Sequence, residues 1–465
     1  MTAPFLWIGI PILASPLALI LRRERAVTIF GGLTTAILAL VALFIPIDVA
    51  MLIGPLSLKI SPSVQILGRS LSLDQANGSL LAILYGLAAL WFFGAEAAGA
   101  ARRLVPFGLG ILGLLVASIA VQPFLFAAPM IQIAALLTVP LLVQPSRAPG
   151  RGIVRFLIYQ TLAMPFILFA GWLLAGVEAS PGDLELAVQS AAMLGLGFAF
   201  LLAVFPLYNW IPMLLEEASP YAVGFLLWCF PATTSFFLLG FLDRYTFLRT
   251  SPAFLTALQT GGLLMVVTGG IWAAFQRHIG RMMGYAAVAE TGFFLVAASL
   301  NTSAGLQTIF LQLVPRGLGM AVWALALTVV QPQVEGFGFS EVRGLARRNP
   351  LAVAALILAH LSVVGFPLLA GFPVRLALWE GLARQSIGQA AWMLVGLLGL
   401  LTGAVRTLAV AVMADEQSAW EWNAAWVQVF MLGVGILALF GLGLFPQVIQ
   451  PFLVNLPAMF EHLGR

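Results

Sequence analysis

Long apolar stretches, each ended by a short polar or charged segment, follow one another along almost the whole chain. A helix needs about 20 mainly apolar residues to cross the hydrocarbon core of a bilayer. Stretches of roughly that length cover residues 3–21, 27–46, 76–95, 104–122, 124–143, 153–176, 186–208, 220–241, 254–275, 282–300, 304–330, 350–372, 387–412 and 424–449. The pattern therefore predicts an all-α polytopic membrane protein with about 14 transmembrane helices.

Two of these predicted spans are interrupted by proline pairs with the same spacing. Pro206 precedes Pro212 at the end of the seventh span, and Pro367 precedes Pro373 at the end of the twelfth. Proline removes a backbone donor and clashes with the carbonyl four residues earlier, which frees polar groups that lipid cannot satisfy. Paired helix breaks in two halves of a chain are typical of a transporter pathway. We expect both breaks to be surrounded by protein or by a water-filled cavity.

The composition supports a membrane protein. Hydrophobic residues make up 61% of the chain and charged residues 9%, whereas soluble domains carry about 25% charged residues. Lys59 is the only lysine, so the net charge of +4 rests almost entirely on arginine. We interpret that charge as a topology signal, and it does not suggest a nucleic-acid partner. Cys229, the only cysteine, is expected to be a packed thiol.

Arginine clusters fall in alternate loops between the predicted spans. These clusters are Arg22/Arg23/Arg25, Arg102/Arg103, Arg147/Arg151/Arg155, Arg277/Arg281 and Arg343/Arg347/Arg348. Cytoplasmic loops of membrane proteins carry an excess of arginine and lysine, so these loops are predicted to be cytoplasmic. Both termini then face away from the cytoplasm, and the chain is placed in the cell's inner (plasma) membrane. Within the long loop 48–77, the stretch LSLKISPSVQI (residues 56–66) is predicted to be either a short hairpin or a surface helix.

Four ionisable side chains in or beside the spans are the candidate site residues, because a charge in lipid is costly and is usually retained for function or pairing. Glu290 lies well inside the tenth span, and Arg316 in the eleventh is its expected partner in a buried ion pair. A proton-carrying role for Glu290 is the alternative. His360 is either a proton shuttle or a packing residue. Arg375 can hold or steer charge but cannot release a proton.

Other chemistries lack their motifs. The chain has no CxxC pair and no phosphate-binding loop, and only one of its three histidines lies within a predicted span. Ligation of a haem by two histidines of this chain is therefore excluded. We expect no catalytic residue, no cofactor and no metal ion.

Several segments resemble the antiporter-like membrane subunits of respiratory complex I (NADH:quinone oxidoreductase) and of Mrp-type cation/proton antiporters. The stretch FPLYNWIPMLLEEASP is similar to the family pattern PFHxWLPDA followed by AP, and GRMMGYAAVAETGF is similar to KRLLAYSSIAHLGY. Likewise, LSVVGFPLLAGFPVR is similar to SLAGIPPLAGFxGK, and EVRGLARRNPLAV resembles the loop before the twelfth helix. The resemblance covers about residues 100–415.

The resemblance implies a fold with two inverted five-helix repeats and broken helices 7 and 12. It divides the chain into N-terminal helices at 1–100, a first repeat at 101–245, a second repeat at 250–415 and a C-terminal helix at 420–465. It also implies association with other membrane subunits of a larger complex, within the lipid bilayer.

The family moves protons along a buried row of glutamate and lysine, and most of that row is missing here. Helix 5 offers only Gln132, and the lysines of helices 7 and 8 align with Leu201 and about Ala232. The PFH histidine aligns with Tyr208, and the lysine of helix 12 aligns with Arg375. Charge is thus partly retained, but in a form that cannot relay protons.

Three functional hypotheses follow. The first is a divergent antiporter-like subunit of a complex I-like or related ion-translocating assembly, mainly a scaffold or with reduced or rewired proton translocation. It would be a non-catalytic subunit of an NADH:quinone oxidoreductase. The second is an active proton or sodium translocator that uses Glu290, His360 and water. The third is a membrane anchor for a soluble catalytic module.

Cysteine labelling tests the predicted topology. We expect single cysteines introduced at Arg22 and Arg347 to react with a membrane-impermeant maleimide only from the cytoplasmic side, because both lie in arginine-rich loops. A cysteine at Glu185, in an opposite loop, is the matched control and should react from outside. Labelling of Arg22→Cys or Arg347→Cys from outside intact cells would contradict this orientation.

Overall fold

The computed structural model describes residues 1–53, 56–66, 68–143, 148–180, 182–413 and 424–463. Arg147, a member of one predicted arginine cluster, lies outside these residues. In the first half the helices are α1 Ile10–Ile20, α2 Glu24–Phe44, α3 Gly78–Phe93, α4 Ala101–Ala120, α5 Ala127–Leu137, α6 Val139–Leu142, α7 Arg151–Ala179, α8 Leu184–Leu201, α9 Trp210–Glu217 and α10 Pro220–Arg244.

The second half continues this helical architecture. Its helices are α11 Thr246–Thr250, α12 Pro252–Phe275, α13 Ile279–Ser299, α14 Ser303–Val330, α15 Leu345–Arg348, α16 Pro350–Val364, α17 Phe372–Gln385, α18 Ile387–Val412, α19 Trp426–Leu444 and α20 Gln450–Leu453. Among the described residues, 12 helices are long and apolar enough to cross a membrane. Two shorter apolar helices, Phe5–Ile20 and Pro350–Val364, accompany them. The chain is a mostly helical, multi-pass membrane protein.

Two small sheets occupy the long N-terminal loop, so the fold is not purely α-helical. Strand β1 (Ala50–Ile53) pairs antiparallel with β2 (Leu56–Lys59). Strand β3 (Ser63–Ile66) pairs with β4 (Arg69–Ser72), which also pairs with β5 (Val121–Gln122) beyond α4. The stretch at residues 56–66 is neither the hairpin nor the surface helix that was predicted, because its two strands, β2 and β3, pair with different partners in separate sheets.

Both predicted broken spans end earlier than predicted. The first break begins after Leu201, where α8 ends, and the chain passes through the 3-10 turn Leu207–Asn209 before α9. The second begins at Gly365, which has a left-handed φ of 85° and ends α16. The predicted limits at residues 208 and 372 are therefore wrong, because a helix must stop before its backbone can turn at the break.

The second proline of each pair lies in the first turn of the helix that follows. Pro212 is the third residue of α9, and Pro373 is the second residue of α17. The first backbone N–H groups of a helix have no partner inside it, so proline costs little there. Pro106, Pro165 and Pro231, by contrast, lie inside continuous helices. Proline alone therefore does not locate a break.

The centre of the bundle is formed by the helices that carry charge. In their most apolar segments, 94% of the residues of α13 and 83% of those of α14 are buried, compared with 17% for α19. Glu290 lies on α13, and Arg316 lies on α14. The charged side chains therefore face protein and not lipid.

His278 caps the first turn of α13. Its Nδ1 atom accepts a hydrogen bond of 3.2 Å from the backbone N–H of Arg281, and this interaction requires an unprotonated Nδ1. Burial lowers the pKa of His278 below its ordinary value, against the opposing effect of the Glu216 carboxylate. The neutral imidazole is therefore the form of His278 that caps the helix.

Because of this cap, the stability of the fold should decrease as the pH falls below about 6.5, the ordinary histidine pKa. His278 resists protonation in the folded chain but binds a proton in the unfolded chain, so acid favours unfolding. Thermal unfolding of the purified chain between about pH 8 and about pH 5.5 measures this effect. His278→Asn keeps a capping side chain that cannot titrate, and its melting temperature should lose this part of the pH dependence. An unchanged pH profile in the variant would contradict the assignment.

Candidate functional site

A buried ion pair joins α13 to α17. The Nη2 atom of Arg375 donates a hydrogen bond to Oε1 of Glu290. The exposed fraction is 4% for the Arg375 side chain and 3% for the Glu290 side chain. A single unpaired charge at this depth costs on the order of 3 kcal/mol or more on membrane-insertion scales. Each of the two charges therefore depends on the other for its place in the interior.

Gln312 on α14 occupies the second oxygen of the same carboxylate. Its Nε2 atom donates to Oε2 of Glu290 at 2.7 Å and to the Glu290 backbone carbonyl at 2.8 Å. Gln312 is itself 5% exposed. Both carboxylate oxygens are thus held by fixed donors from two other helices. Glu290 is the point at which α13, α14 and α17 meet.

The second helix break positions Arg375. Its Nε atom donates to the Val363 carbonyl at 3.0 Å, and this carbonyl is in the last turn of α16, where no backbone partner is available. Its guanidinium carbon lies 3.8 Å from the centroid of the Phe293 ring. A Cβ atom added to Gly365 would lie 2.4 Å from Cγ of Arg375. Glycine at 365 therefore allows both the left-handed backbone conformation and the close approach of the Arg375 side chain.

Arg316 does not form the ion pair with Glu290 that the sequence suggested. Its Nη2 atom donates instead to the Leu227 carbonyl at 3.2 Å and to Oγ1 of Thr291 at 3.0 Å. The physical reason is that Gln312, one turn earlier on α14, and Arg375 already occupy the two oxygens of Glu290. Arg316 is therefore a second buried cation, without a carboxylate of its own among the described residues.

His360 lies outside this group. It is fully buried on α16 and stacks on the indole of Trp323, with ring centroids 4.4 Å apart. The Leu400 backbone is close to the ring, but neither ring nitrogen makes a well-formed hydrogen bond with a described residue. No hydrogen bond or ion pair joins His360 to Glu290 in the described part of the chain. Its contacts are those of a packed aromatic ring.

Three positions where the resemblance leads one to expect glutamate or lysine carry side chains that do not titrate. Leu201 is 5% exposed at the end of α8, and Ala232 is 4% exposed within α10. Gln132 donates to Oγ1 of Thr161 at 2.8 Å. Among the described residues, Glu290 and His360 are the only buried members of the set Lys, His, Asp and Glu. The described ranges also contain no group of three or more His, Cys, Asp or Glu residues that could hold a metal ion.

Sequence reasoning missed Gln312 and Thr291, which hold Glu290 and Arg316 respectively. Gln312 lies four residues before Arg316 in an apolar helix, so the two share one helix face. That spacing was an available signal. Thr291 had none, because its hydroxyl also bonds to the Ala287 carbonyl of its own helix, as hydroxyls in membrane helices commonly do.

Comparison with known families identifies the family of this chain. The family model described as "NADH:quinone oxidoreductase/Mrp antiporter, TM" matches residues 79–402. This chain belongs to that family. The resemblance predicted from the sequence is confirmed.

This chain matches only part of the length of its curated relatives. It is 27% identical over 320 residues to NADH-quinone oxidoreductase subunit N of Rhodococcus opacus, covering 63% of this chain and 57% of that protein. It is 28% identical over 332 residues to NADH-quinone oxidoreductase subunit 14 of Thermus thermophilus, covering 68% of this chain and 73% of that protein. The chain thus spans a little over half of the first relative and about three quarters of the second.

Solved structures share the whole fold. A chain of respiratory complex I from Thermus thermophilus has a TM-score of 0.75 at 19% identity, covering 97% of this chain and 99% of that chain. A chain of the Mrp complex from Dietzia sp. has a TM-score of 0.79 at 15% identity, covering 98% of this chain and 97% of that chain. At these identities the likeness concerns the fold alone. Both neighbours are subunits of multi-subunit membrane complexes.

A double-mutant cycle tests which cation is the partner of Glu290. We expect Glu290→Gln to destabilise the chain by about 3 to 5 kcal/mol, because it leaves buried positive charge uncompensated. Adding Arg375→Met should recover most of the lost stability, because both charges of the pair are then absent and Arg375 is no longer an unpaired buried cation. The measurement is reversible unfolding of the purified chain.

The combination of Glu290→Gln with Arg316→Met is the matched control for that cycle. It removes a buried cation that makes no ion pair with Glu290, so its recovery should be clearly smaller. Equal recovery by the two combinations would contradict the pairing with Arg375.

Proposed function

We propose that this chain is a non-catalytic, antiporter-like membrane subunit of a complex I-like or related ion-translocating assembly. We infer that it acts mainly as a scaffold, with its side-chain proton relay interrupted. The observation that carries the proposal is the engagement of both Glu290 oxygens by Arg375 and Gln312. A relay needs neighbours that gain and lose protons near neutral pH. A guanidinium keeps its proton and an amide does not titrate there, so neither partner can pass a proton on.

The interruption extends beyond Glu290. Leu201 and Ala232 are buried and apolar where the family carries lysine, and Arg375 replaces the lysine that would end the row. Transfer across the middle of the bundle would therefore depend on water alone. This supports a scaffold more than a conductor.

We also propose the two inverted five-helix repeats, at residues 101–245 and 250–415. Each proposed repeat ends with the same order of elements, namely a helix, a break, a short helix and a long helix. These are α8, α9 and α10 in the first and α16, α17 and α18 in the second. With both short apolar helices counted as spans, the total is fourteen, and both termini lie on the non-cytoplasmic side of the inner membrane.

The proposed partners are other membrane subunits and lipid. Relatives bear the names of NADH-quinone oxidoreductase subunits, and the similar folds belong to multi-subunit membrane complexes. The peripheral helix α19 keeps most of its surface outside the core, and Trp426, Phe430 and Leu437 are exposed on it. Such apolar surface suits lipid or a neighbouring subunit.

Assembly and ion flux, measured separately, test the scaffold role. We expect Glu290→Gln to lower the amount of assembled complex in the membrane and to leave ion flux per assembled complex unchanged, because the pair holds helices together and carries no proton. Native electrophoresis with mass spectrometry measures assembly, and reconstituted vesicles measure flux. Tyr85→Phe is the matched control, since it removes a buried hydrogen bond to the Trp7 carbonyl without changing charge.

Two outcomes would replace this proposal. Loss of flux per complex in Glu290→Gln but not in Tyr85→Phe would identify the carboxylate as a carrier in an active proton or sodium translocator. Co-purification with a soluble catalytic module, in an assembly without ion flux, would identify the chain as a membrane anchor.

A further inference from the structure

A small cavity lies beside Arg316, between the first helix break and the centre of the bundle. The volume of this cavity is about 20 Å³. This is enough to hold one water molecule or one small ion. Its wall includes Leu201, Leu202 and Ala203 from the break, as well as Leu227 from α10. The cavity therefore lies where Leu201 replaces the relay lysine of the family.

Three polar side chains in the cavity wall carry buried atoms without a hydrogen-bond partner among the described residues. These atoms are Nε of Arg316, Nε1 of Trp210 and Oε1 of Gln160. The three residues are 5%, 5% and 2% exposed, respectively. Of the guanidinium nitrogens of Arg316, only Nη2 makes hydrogen bonds within the described chain. Buried polar atoms without partners are rare in folded proteins and usually indicate a bound water or ion.

The charges of the buried side chains do not cancel. Among the described residues, the buried Asp, Glu, Lys and Arg side chains are Glu290, Arg316 and Arg375, so one negative and two positive charges leave a net charge of +1. Arg375 and Gln312 bind the two carboxylate oxygens of Glu290, and Arg316 forms no ion pair within the described chain. In a low-dielectric interior, an opposite charge beside a guanidinium is worth several times a neutral hydrogen bond.

We propose that this cavity binds one small monovalent anion of the size of chloride. The anion is held by the free N–H groups of Arg316 and by the indole N–H of Trp210. Of the three unpartnered atoms, two are donors and one, Oε1 of Gln160, is an acceptor. The amide nitrogen of Gln160 donates to the Leu201 carbonyl at 3.3 Å. A water molecule would suit the same three atoms but would leave the net charge in place. The anion removes that charge, and this site is independent of any role in ion translocation.

Anion-dependent thermal stability tests the site in the purified full chain. We expect the melting temperature to rise and saturate with chloride and with bromide, but not with gluconate at equal ionic strength, because gluconate is too large for the cavity. Arg316→Met should lose this difference. It leaves the Glu290–Arg375 pair intact and removes the excess charge, so it should still fold.

The Trp210→Phe variant removes the indole N–H but keeps an aromatic ring at this position. We expect it to raise the chloride concentration at half effect by about tenfold, the usual consequence of losing one hydrogen bond to a charged group. Trp272→Phe is the matched control, because Trp272 is 52% exposed and does not line this cavity. It should leave the chloride response unchanged. If Arg316→Met does not fold, this pair of variants still decides the question.

Bromide diffraction locates the ion. We expect an anomalous peak beside Arg316 in crystals of the chain or its complex grown with bromide. Equal melting temperatures in chloride and gluconate would mean that only water occupies the cavity, and would overturn the proposal. A chloride effect that persists in Arg316→Met, or a bromide peak only elsewhere, would mean an adventitious ion only and would overturn it as well.

Discussion

The pairing of Glu290 with Arg375 is the constraint on which the centre of this molecule depends. Glu290 lies on α13, the most buried of the candidate spans, and Arg375 lies on the short helix that follows the second break. Gln312 brings α14 to the same carboxylate. Three helices are thus held at one point, and removal of the carboxylate would leave two guanidinium groups in an interior that cannot solvate them.

The two helix breaks are stabilised by the same device. At each break, a helix ends inside the protein, and one of its last carbonyl groups has no backbone donor among the described residues. Arg375 donates to the Val363 carbonyl at the second break, and Gln160 donates to the Leu201 carbonyl at the first. In both cases a long polar side chain from another helix supplies the missing donor. Irregular backbone at membrane depth is tolerated where protein surrounds it in this way.

The buried site combines one carboxylate, that of Glu290, with the guanidinium groups of Arg316 and Arg375. Arg316 and Arg375 are buried cations that do not release protons near neutral pH, and Leu201 and Ala232, where the resemblance leads one to expect lysine, are buried and apolar. His360 packs against Trp323 away from the carboxylate. The contacts observed for Glu290, Arg316 and Arg375 join neighbouring helices to one another.

The sequence by itself determined the membrane class, the approximate spans, the two breaks and the charged candidates, because each depends on local apolar length or on a local residue type. Only the tertiary structure decided which cation Glu290 meets, since Arg375 is 85 residues away and helix rotation sets the contact. It also decided that β5 joins β4 and that Arg316, Trp210 and Gln160 line one cavity. These residues come from separate helices and from both halves of the chain. Apolar periodicity carries no information about which polar faces meet across a bundle.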